Sequence, residues 1–460
     1  MSPTQSRITR RQFLAATAAS VPAAALLAAC GSGSSSASSN GKPTSMTFSN
    51  WWGTQFAHFL PEMEKLTGIK IHQQLYSYNS AKFFTPLVSG TAPDFFLADS
   101  AWNGTLLPEA SKYLVPFDER LKAKKVDMSK WDVPPGSEEG YGGNTWGLSL
   151  FVAQDVICFV NTEMADKDGL LKELPVWGSP SFDTWKWDKY VDWLKAGTKT
   201  MRNGKVEQYG ISIGGAAWGG LFSAVLAGFG GSLVNNEFTY NETKSLFDTE
   251  PVIETVQALS DLFNRYKVAA PLGVETAVTG GTFLAKRALS ATNNSTPSAY
   301  PAGSFPMTYF HLPYHENKVH CHGANMLSVN KRFSAADVAQ DWIITFCTNT
   351  AVRKNFLQVS SVPAYDPLPI VQASPSGDSK TIALINLSRI KGKSSIPANT
   401  KDVKAYPYWI GGRYAPADTL TALQSTVQSV ILGKNTAKEA CQAAAKQLNE
   451  KIANARRAAQ

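Results

Sequence analysis

The sequence predicts an α/β protein. Three observations carry this. Strand-like and helix-like stretches alternate from Met46 to Asp99, and a β-α-β-α-β order calls for a parallel sheet with right-handed crossovers. Short apolar runs, such as Phe95–Ala98 and Val156–Val160, have the composition of strands buried on both faces. Between them lie segments with apolar residues at helical spacing, among them Val252, Val256, Leu259 and Phe263.

The first residues stand outside this pattern. Arg7, Arg10 and Arg11 lead into an alanine-rich apolar run from Phe13 to Ala29, the order of an export signal. Thr9-Arg10-Arg11-Gln12-Phe13-Leu14 resembles a twin-arginine signal, whose cargo crosses the membrane folded. Ala15 stands where a basic residue is usual, which leaves general secretion open as the route. Leu27-Ala28-Ala29-Cys30-Gly31 resembles a bacterial lipobox, in which residues 1–29 are removed and Cys30 is lipidated. The run is shorter than the ~20 apolar residues of a membrane span and is interrupted by Thr17, Ser20 and Pro22. Two or three acyl chains on Cys30 would hold a bilayer stably, so the body is expected outside the cytoplasm on a membrane face. Residues 30–44 add a Gly/Ser tether with a reach of ~20 Å.

The remaining body suits a packed globular protein. The 460-residue chain is 43% hydrophobic and 11% aromatic, a length for two domains or two lobes. Removing residues 1–29 takes away three arginines and no acid, and the formal charge falls from +8 to +5. No Lys/Arg tract argues for nucleic acid. Cys158, Cys321, Cys347 and Cys441 form no CxxC pair and are expected as buried free thiols.

Taken in order, Met46–Ser49 is a strand, followed by Trp51, Trp52 and Gly53. Phe56, Phe59, Leu60, Met63 and Leu66 form a helical stripe that Gly68 stops. Ile69–Leu75 is a second strand. Ala81–Val88 is a helix broken by Gly90-Thr91-Ala92-Pro93, and Phe95–Ala98 is a buried strand ending at Asp99. Ligands of such sheets lie beyond the carboxyl ends of the strands. Those ends are Trp51 and Trp52, Tyr76–Asn79, and Asp99–Trp102. Gly147–Ala153 and Val156–Val160 follow as two strands interrupted by Gln154-Asp155. Thr184–Leu194 is a helix, and Tyr209–Ile213 is a strand ending in two glycines with Trp218 beyond. Pro251 opens a helix, Ala288–Ala291 is a short strand before Asn293-Asn294-Ser295-Thr296, and Ala335–Thr348 is a helix. Two helices parted by Gly433 close the chain, the second opened by the capping box Thr436-Ala437-Lys438-Glu439.

Gly210-Ile211-Ser212-Ile213-Gly214 matches the GxSxG of a nucleophile elbow, which needs its serine on a strained strand-to-helix turn. Ser212 instead reads as a strand interior between two isoleucines, so a serine hydrolase is the second reading. His311, His315, His320, Cys321 and His322 crowd one stretch. His320 and His322 would share a strand face, which allows a metal, while Cys321 would point away, and solvent-facing or cleft histidines are expected instead of a metal site. No cofactor motif occurs. Trp185, Trp193 and Trp342 lie in helical patterns and read as core. Trp51, Trp52, Trp102, Trp218 and Trp409 lie in loops or at strand ends, with Asp99, Asp155, Asn293, Asn294 and Arg413 close to them in the pattern. Rings that pack on C–H faces, beside polar groups that take hydroxyls, suit a sugar. Trp218 is the strongest expected stacking ring, since it follows two glycines at a strand end.

The order of several segments resembles the extracellular solute-binding proteins of ABC importers, family 1, the maltose-binding-like group. The segments are the opening strand ending in tryptophan, Leu66-Thr67-Gly68-Ile69-Lys70-Ile71, and Leu87-Val88-Ser89-Gly90-Thr91-Ala92-Pro93-Asp94. Phe283-Leu284-Ala285-Lys286-Arg287-Ala288-Leu289 and Ile431–Ala440 complete them. The resemblance spans about the whole mature length. It implies a two-lobed periplasmic-binding-protein-like fold, each lobe a mixed, mainly parallel sheet flanked by helices. Crossing segments near Gln154-Asp155, Val319–Gly323 and Tyr365–Ile370 would form the hinge. Lobe 1 would take residues 45–154 and 319–367, and lobe 2 residues 155–318 and 368–460. It further implies a monomeric binding protein that catalyses nothing, needs no cofactor, and hands a di- or oligosaccharide to ABC permease subunits. One departure bears on the ligand. Where the family often has a glycine and a stacking aromatic, this chain has Asn293-Asn294-Ser295-Thr296, so hydrogen bonding replaces stacking and maltodextrin itself is not expected. The alternative ligand on the same fold is a glycerophosphodiester or another anionic solute.

Overall fold

The computed structural model describes residues 42–51, 54–57, 59–128, 140–175, 183–213, 217–277, 281–294, 305, 307–349, 351–352, 404–407 and 412–460. The export signal, Cys30, the tether up to residue 41, Trp52, Trp409 and the third expected crossing lie outside the described residues. The strands are β1 (Ser45–Asn50), β2 (Lys70–Leu75), β3 (Phe95–Asp99), β4 (Leu148–Asn161), β5 (Lys199–Thr200), β6 (Val206–Ser212), β7 (Ala288–Asn294), β8 (Met307–His311), β9 (Val319–Val329) and β10 (Lys404–Pro407). They join in the order β2-β1-β3-β9-β4-β7-β6-β5, with β8 beside β4 and β10 beside β9. Pairing is mixed: β1 is parallel to β2 and β3, β6 to β7 and β9 to β10, while β4 is antiparallel to β7, β8 and β9.

The strand β4 joins the two halves. Two strands parted by Gln154-Asp155 are expected there, and the structure has one strand of 14 residues instead. Its first half pairs with β9, from Leu148 opposite Leu327 to Asp155 opposite His322. From Val156 onward it pairs with β7, and from Ile157 also with β8. The ladder with β9 shifts register on both sides of Val152, and such irregularities bend and twist a strand. The polar pair therefore marks a change of partner, because backbone groups stay paired through it.

On one side of that change, β3 lies between β1 and β9, and every residue of it is buried. Phe95 and Leu97 pack with Phe48, Phe59, Met63, Trp342 and Phe346. Phe96 and Ala98 pack with Phe83, Leu87 and Trp102 on the other face. Alternate side chains of a strand point to opposite faces, so a sheet covered on both sides reads as a continuous apolar run. Helices Leu60–Thr67 and Ala336–Thr348 supply the first cover and helix Ser80–Ser89 the second. On the other side, Cys158, Val160 and Ile211 share a core with helices Trp187–Ala196, Ala217–Gly228 and Glu250–Asn264 and both C-terminal helices, Pro416–Ile431 and Ala437–Ala459. Trp185, Trp193 and Trp342 are buried as expected, although the helix expected from Thr184 begins at Trp187 and leaves Trp185 before it. Thr436 and Glu439 close the expected capping box.

The segment Gly90–Asp94 ties these elements together. Gly90 caps helix Ser80–Ser89 with φ 79°, a left-handed conformation that glycine adopts without strain. Asp94 Oδ2 then accepts the Thr47 N–H at 2.7 Å and its hydroxyl at 3.0 Å, while Asp94 N–H donates to Thr47 Oγ1 at 3.0 Å. Asn330 Nδ2 donates to the carbonyls of Ala92 and Pro93, each at 3.0 Å. The loop is thereby fastened to β1 and to the end of β9. Asp94→Ala leaves the Thr47 N–H without its charged acceptor and is expected to lower stability by about 1.5–3 kcal/mol. Chemical denaturation checks this. An unmoved midpoint would show that the clasp carries no stability.

Candidate functional site

Because β1, β2 and β3 run parallel and adjacent, the residues that follow them come together. Trp51 follows β1, Tyr76 and Tyr78 follow β2, Asp99 ends β3, and Trp102 closes the turn after it. The Trp51 ring centroid lies 5.0 Å from Trp102, 5.4 Å from Tyr78 and 5.9 Å from Tyr76, edge to face in each case. Tyr78 stacks on Trp102 at 5.3 Å with 24° between the planes, and Phe83 lies 4.7 Å from Trp102. Trp102 is 7% exposed and Tyr78 54%. The ring turned to solvent is therefore Tyr78, with Trp51 half-buried beside it. Trp102 is the base on which both rest.

Asp99 lies in the same cluster and is buried. The Ala101 N–H donates to Asp99 Oδ1 at 2.8 Å, and the Tyr78 hydroxyl bonds the carboxylate as well. Burial pushes the carboxyl up to about 6, against the pull of those two hydrogen bonds. Burial also raises the Tyr76 phenol, with the Asp99 charge adding to the effect. Directly across the ladder from Asp99 stands Asn325. It is buried, and its Oδ1 has no hydrogen-bond partner among the described residues. An unmet buried amide oxygen is costly, and a hydroxyl donor would relieve it.

Tyr78 is expected near ligand only as part of the Tyr76–Asn79 stretch and is not singled out there, and Asn325 is not expected at all. Tyr78 carries a usable signal, its place after β2 beside the ends of β1 and β3. Asn325 carries none, since a single polar residue within a strand is read as a ladder position. The other expected residues lie on other elements. Arg413 Nη2 donates to Glu109 Oε1 at 2.7 Å, and Glu109 also pairs with Lys112. Asp155 closes the ladder of β4 with β9. Asn293 and Asn294 extend β7 opposite Ile157 and Val156 where a loop is expected, because β4 continues to offer them partners. Trp218 is the second residue of helix Ala217–Gly228 where a loop is expected. The side chains of Asp155, Trp218, Asn293 and Asn294 lie outside what the structure describes.

Ser212 is the last residue of β6 rather than an interior one, and its hydroxyl donates to Glu275 Oε1 at 2.5 Å. Glu275 also accepts the Thr282 N–H and hydroxyl. The serine is thus engaged by a buried carboxylate and not by an imidazole. The His315 ring stacks on Phe229 with centroids 4.1 Å apart. No three His, Cys, Asp or Glu converge to hold a metal among the described residues. Cys158, Cys347 and Cys441 are buried free thiols. No described helix is long and apolar enough to cross a membrane.

No family model and no curated protein matches this sequence. Solved structures match it in fold. The ABC substrate-binding protein from Listeria monocytogenes in complex with cycloalternan superposes with a TM-score of 0.64 at 17% identity, over 90% of this chain and 100% of that one. The sugar-binding protein MalE from Xanthomonas citri gives 0.66 at 14% identity, over 90% and 98%. UgpB from Mycobacterium tuberculosis in complex with glycerophosphocholine gives 0.64 at 13% identity, over 89% and 98%. This chain therefore has the two-lobed α/β fold of these substrate-binding proteins, two helix-flanked sheets joined through β4.

Proposed function

We propose that this chain is a substrate-binding protein of an ABC importer that captures a carbohydrate and delivers it to the permease. It works outside the cytoplasm, tethered through lipid on Cys30, as a monomer that catalyses no reaction. The observation that supports this most is the cluster of Trp51, Tyr78 and Trp102 around the buried Asp99. Aromatic faces suit sugar C–H surfaces, and a carboxylate opposite a buried amide oxygen suits their hydroxyls. Trp218, Asn293 and Asn294 are kept as candidates from the second lobe, and lobe closure over the ligand sets the state the permease meets.

A phosphodiester is the competing ligand, since the Mycobacterium tuberculosis neighbour holds glycerophosphocholine on this fold. The charges disfavour it. Asp99 would oppose a phosphate, and Arg413 is already engaged by Glu109. A thermal-shift screen over mono-, di- and oligosaccharides and phosphodiesters decides between them, because ligand at 100 times its dissociation constant adds about 2.7 kcal/mol. Stabilisation by phosphodiesters alone would replace the carbohydrate reading. Tyr78→Ala is expected to weaken sugar binding by about 1–2 kcal/mol with little change in melting temperature, since the ring is largely outside the core. Calorimetric titration checks this, and full affinity in the variant would remove Tyr78 from the site.

Asp99 adds a pH signature. Its folded value of about 6 lies above the unfolded value of ~3.9. Protonation therefore favours the folded, ligand-free protein. That contribution is full below the unfolded value and lost as pH rises through about 6. Sugar hydroxyls donate to the ionised form, so affinity runs the other way and falls as pH drops through about 6. Asp99→Asn is expected to flatten both trends, read by melting temperature and by titration at several pH values. An affinity independent of pH in the parent chain would take Asp99 out of ligand contact. For the anchor, Cys30→Ser is expected to abolish lipid labelling and processing. Absence of metabolic lipid label on the parent chain would remove the tether from this reading.

A further inference from the structure

We propose that Glu109 and Arg413 form a latch between the two lobes, and that Arg413 serves closure and not ligand contact. Glu109 stands in the helical turns that follow β3, between Leu107 and Ala110, which lie in a core of the first lobe. Arg413 precedes helix Pro416–Ile431, whose Leu423 and Val427 lie in the core of the second. Their 2.7 Å bond spans the two. Beside it, Tyr141 donates its hydroxyl to the Thr239 carbonyl at 3.2 Å and meets Tyr240 with ring centroids 5.5 Å apart. Tyr141 is itself held from the first lobe by Trp146 Nε1, which donates to its carbonyl at 3.0 Å. The backbones also touch: a Cβ added to Gly104 would lie 2.2 Å from the Gly412 carbonyl oxygen.

The base of the latch is fixed. Glu242 is fully buried, and its Oε1 accepts the Tyr414 N–H at 2.5 Å. Arg456 donates to the Glu242 carbonyl at 2.8 Å and lies over the Tyr414 ring at 4.9 Å. The segment bearing Tyr240 is fastened in turn by Ser245 N–H on Asn449 Oδ1 at 2.7 Å. Arg413 is thus aimed across the seam from an anchored turn. Lys112 pairs with Glu109 within the first lobe, so Arg413 is the partner that crosses. A partly exposed ion pair contributes modestly, but a small bias is enough to tune an equilibrium between two states of similar free energy.

Amide hydrogen exchange on the full chain tests this without any ligand, so the outcome is independent of the proposed function. It is read in peptides covering residues 104–113, 236–245 and 412–431. Glu109→Arg and Arg413→Glu each set like charges across the seam and are expected to speed exchange roughly two- to five-fold on both sides. The double reversal Glu109→Arg/Arg413→Glu restores the pair and is expected to return exchange to the parental rate. Glu109→Gln removes the bond without repulsion and gives a smaller rise on both sides, which keeps the test valid should a reversal fail to fold. Unchanged exchange across the seam in Glu109→Gln, or no recovery in the double reversal, overturns the latch.

Discussion

Both lobes depend on one strand keeping its backbone paired while it passes from one sheet to the next. A buried peptide group without a partner costs roughly 1–3 kcal/mol, so a break in β4 between the lobes would be expensive. None occurs: Asp155 has His322 opposite it and Val156 has Asn294. The shifts around Val152 turn the strand as it goes. Leu148 belongs to the core of one half, and Cys158 and Val160 to the core of the other. Gln154 and Asp155 lie between those cores, which is why polar residues interrupt an otherwise apolar run there.

The candidate site follows from the parallel part of the first sheet. β1, β2 and β3 must end together if they pair in register, and each supplies a residue to one cluster. Packing then sets the chemistry. Tyr78 stacks on Trp102 and is flanked by Trp51, and burial raises the Asp99 carboxyl to about 6 although the Tyr78 hydroxyl and the Ala101 N–H both pull it down. A more open carboxylate would stay well ionised and strongly hydrated. This one is partly stripped of water already, so on the proposed reading less desolvation remains to be done on binding.

The alternation of strands and helices was legible in the sequence because burial on two faces, glycine caps and the capping box are local signals. Phe95–Asp99, Gly68, Gly90 and the Thr436–Glu439 pair all stand where those signals place them. Where the sequence misleads, a distant partner decides. Gln154-Asp155 is locally a break, and only β9, β7 and β8 make it a continuous strand. Asn293 and Asn294 are locally loop residues, and only β4 makes them a ladder. The site divides along the same line. Trp51, Asp99 and Trp102 follow from strand order alone. Which ring faces outward depends on stacking, and Trp102 proved to be the floor beneath Tyr78. Arg413 is expected as a ligand residue, and its pairing with Glu109 is invisible locally, because Glu109 is 304 residues away in the chain.

That last pairing bears on selectivity as well as on shape. A cleft that recognises an anion needs a cation with its charge unmet, or a set of aligned N–H donors. In this seam the guanidinium of Arg413 is met by Glu109, and Glu109 is shared with Lys112. Both cations are held around one carboxylate. Asp99, at the end of β3, carries a negative charge and favours donors over acceptors. On the proposed reading, a neutral polyol meets this arrangement on better terms than a phosphodiester does. Its hydroxyls can donate to Asp99 and Asn325 while its C–H faces lie against Tyr78 and Trp51. On the proposed reading, the guanidinium that joins the lobes is already committed to Glu109 before any ligand arrives.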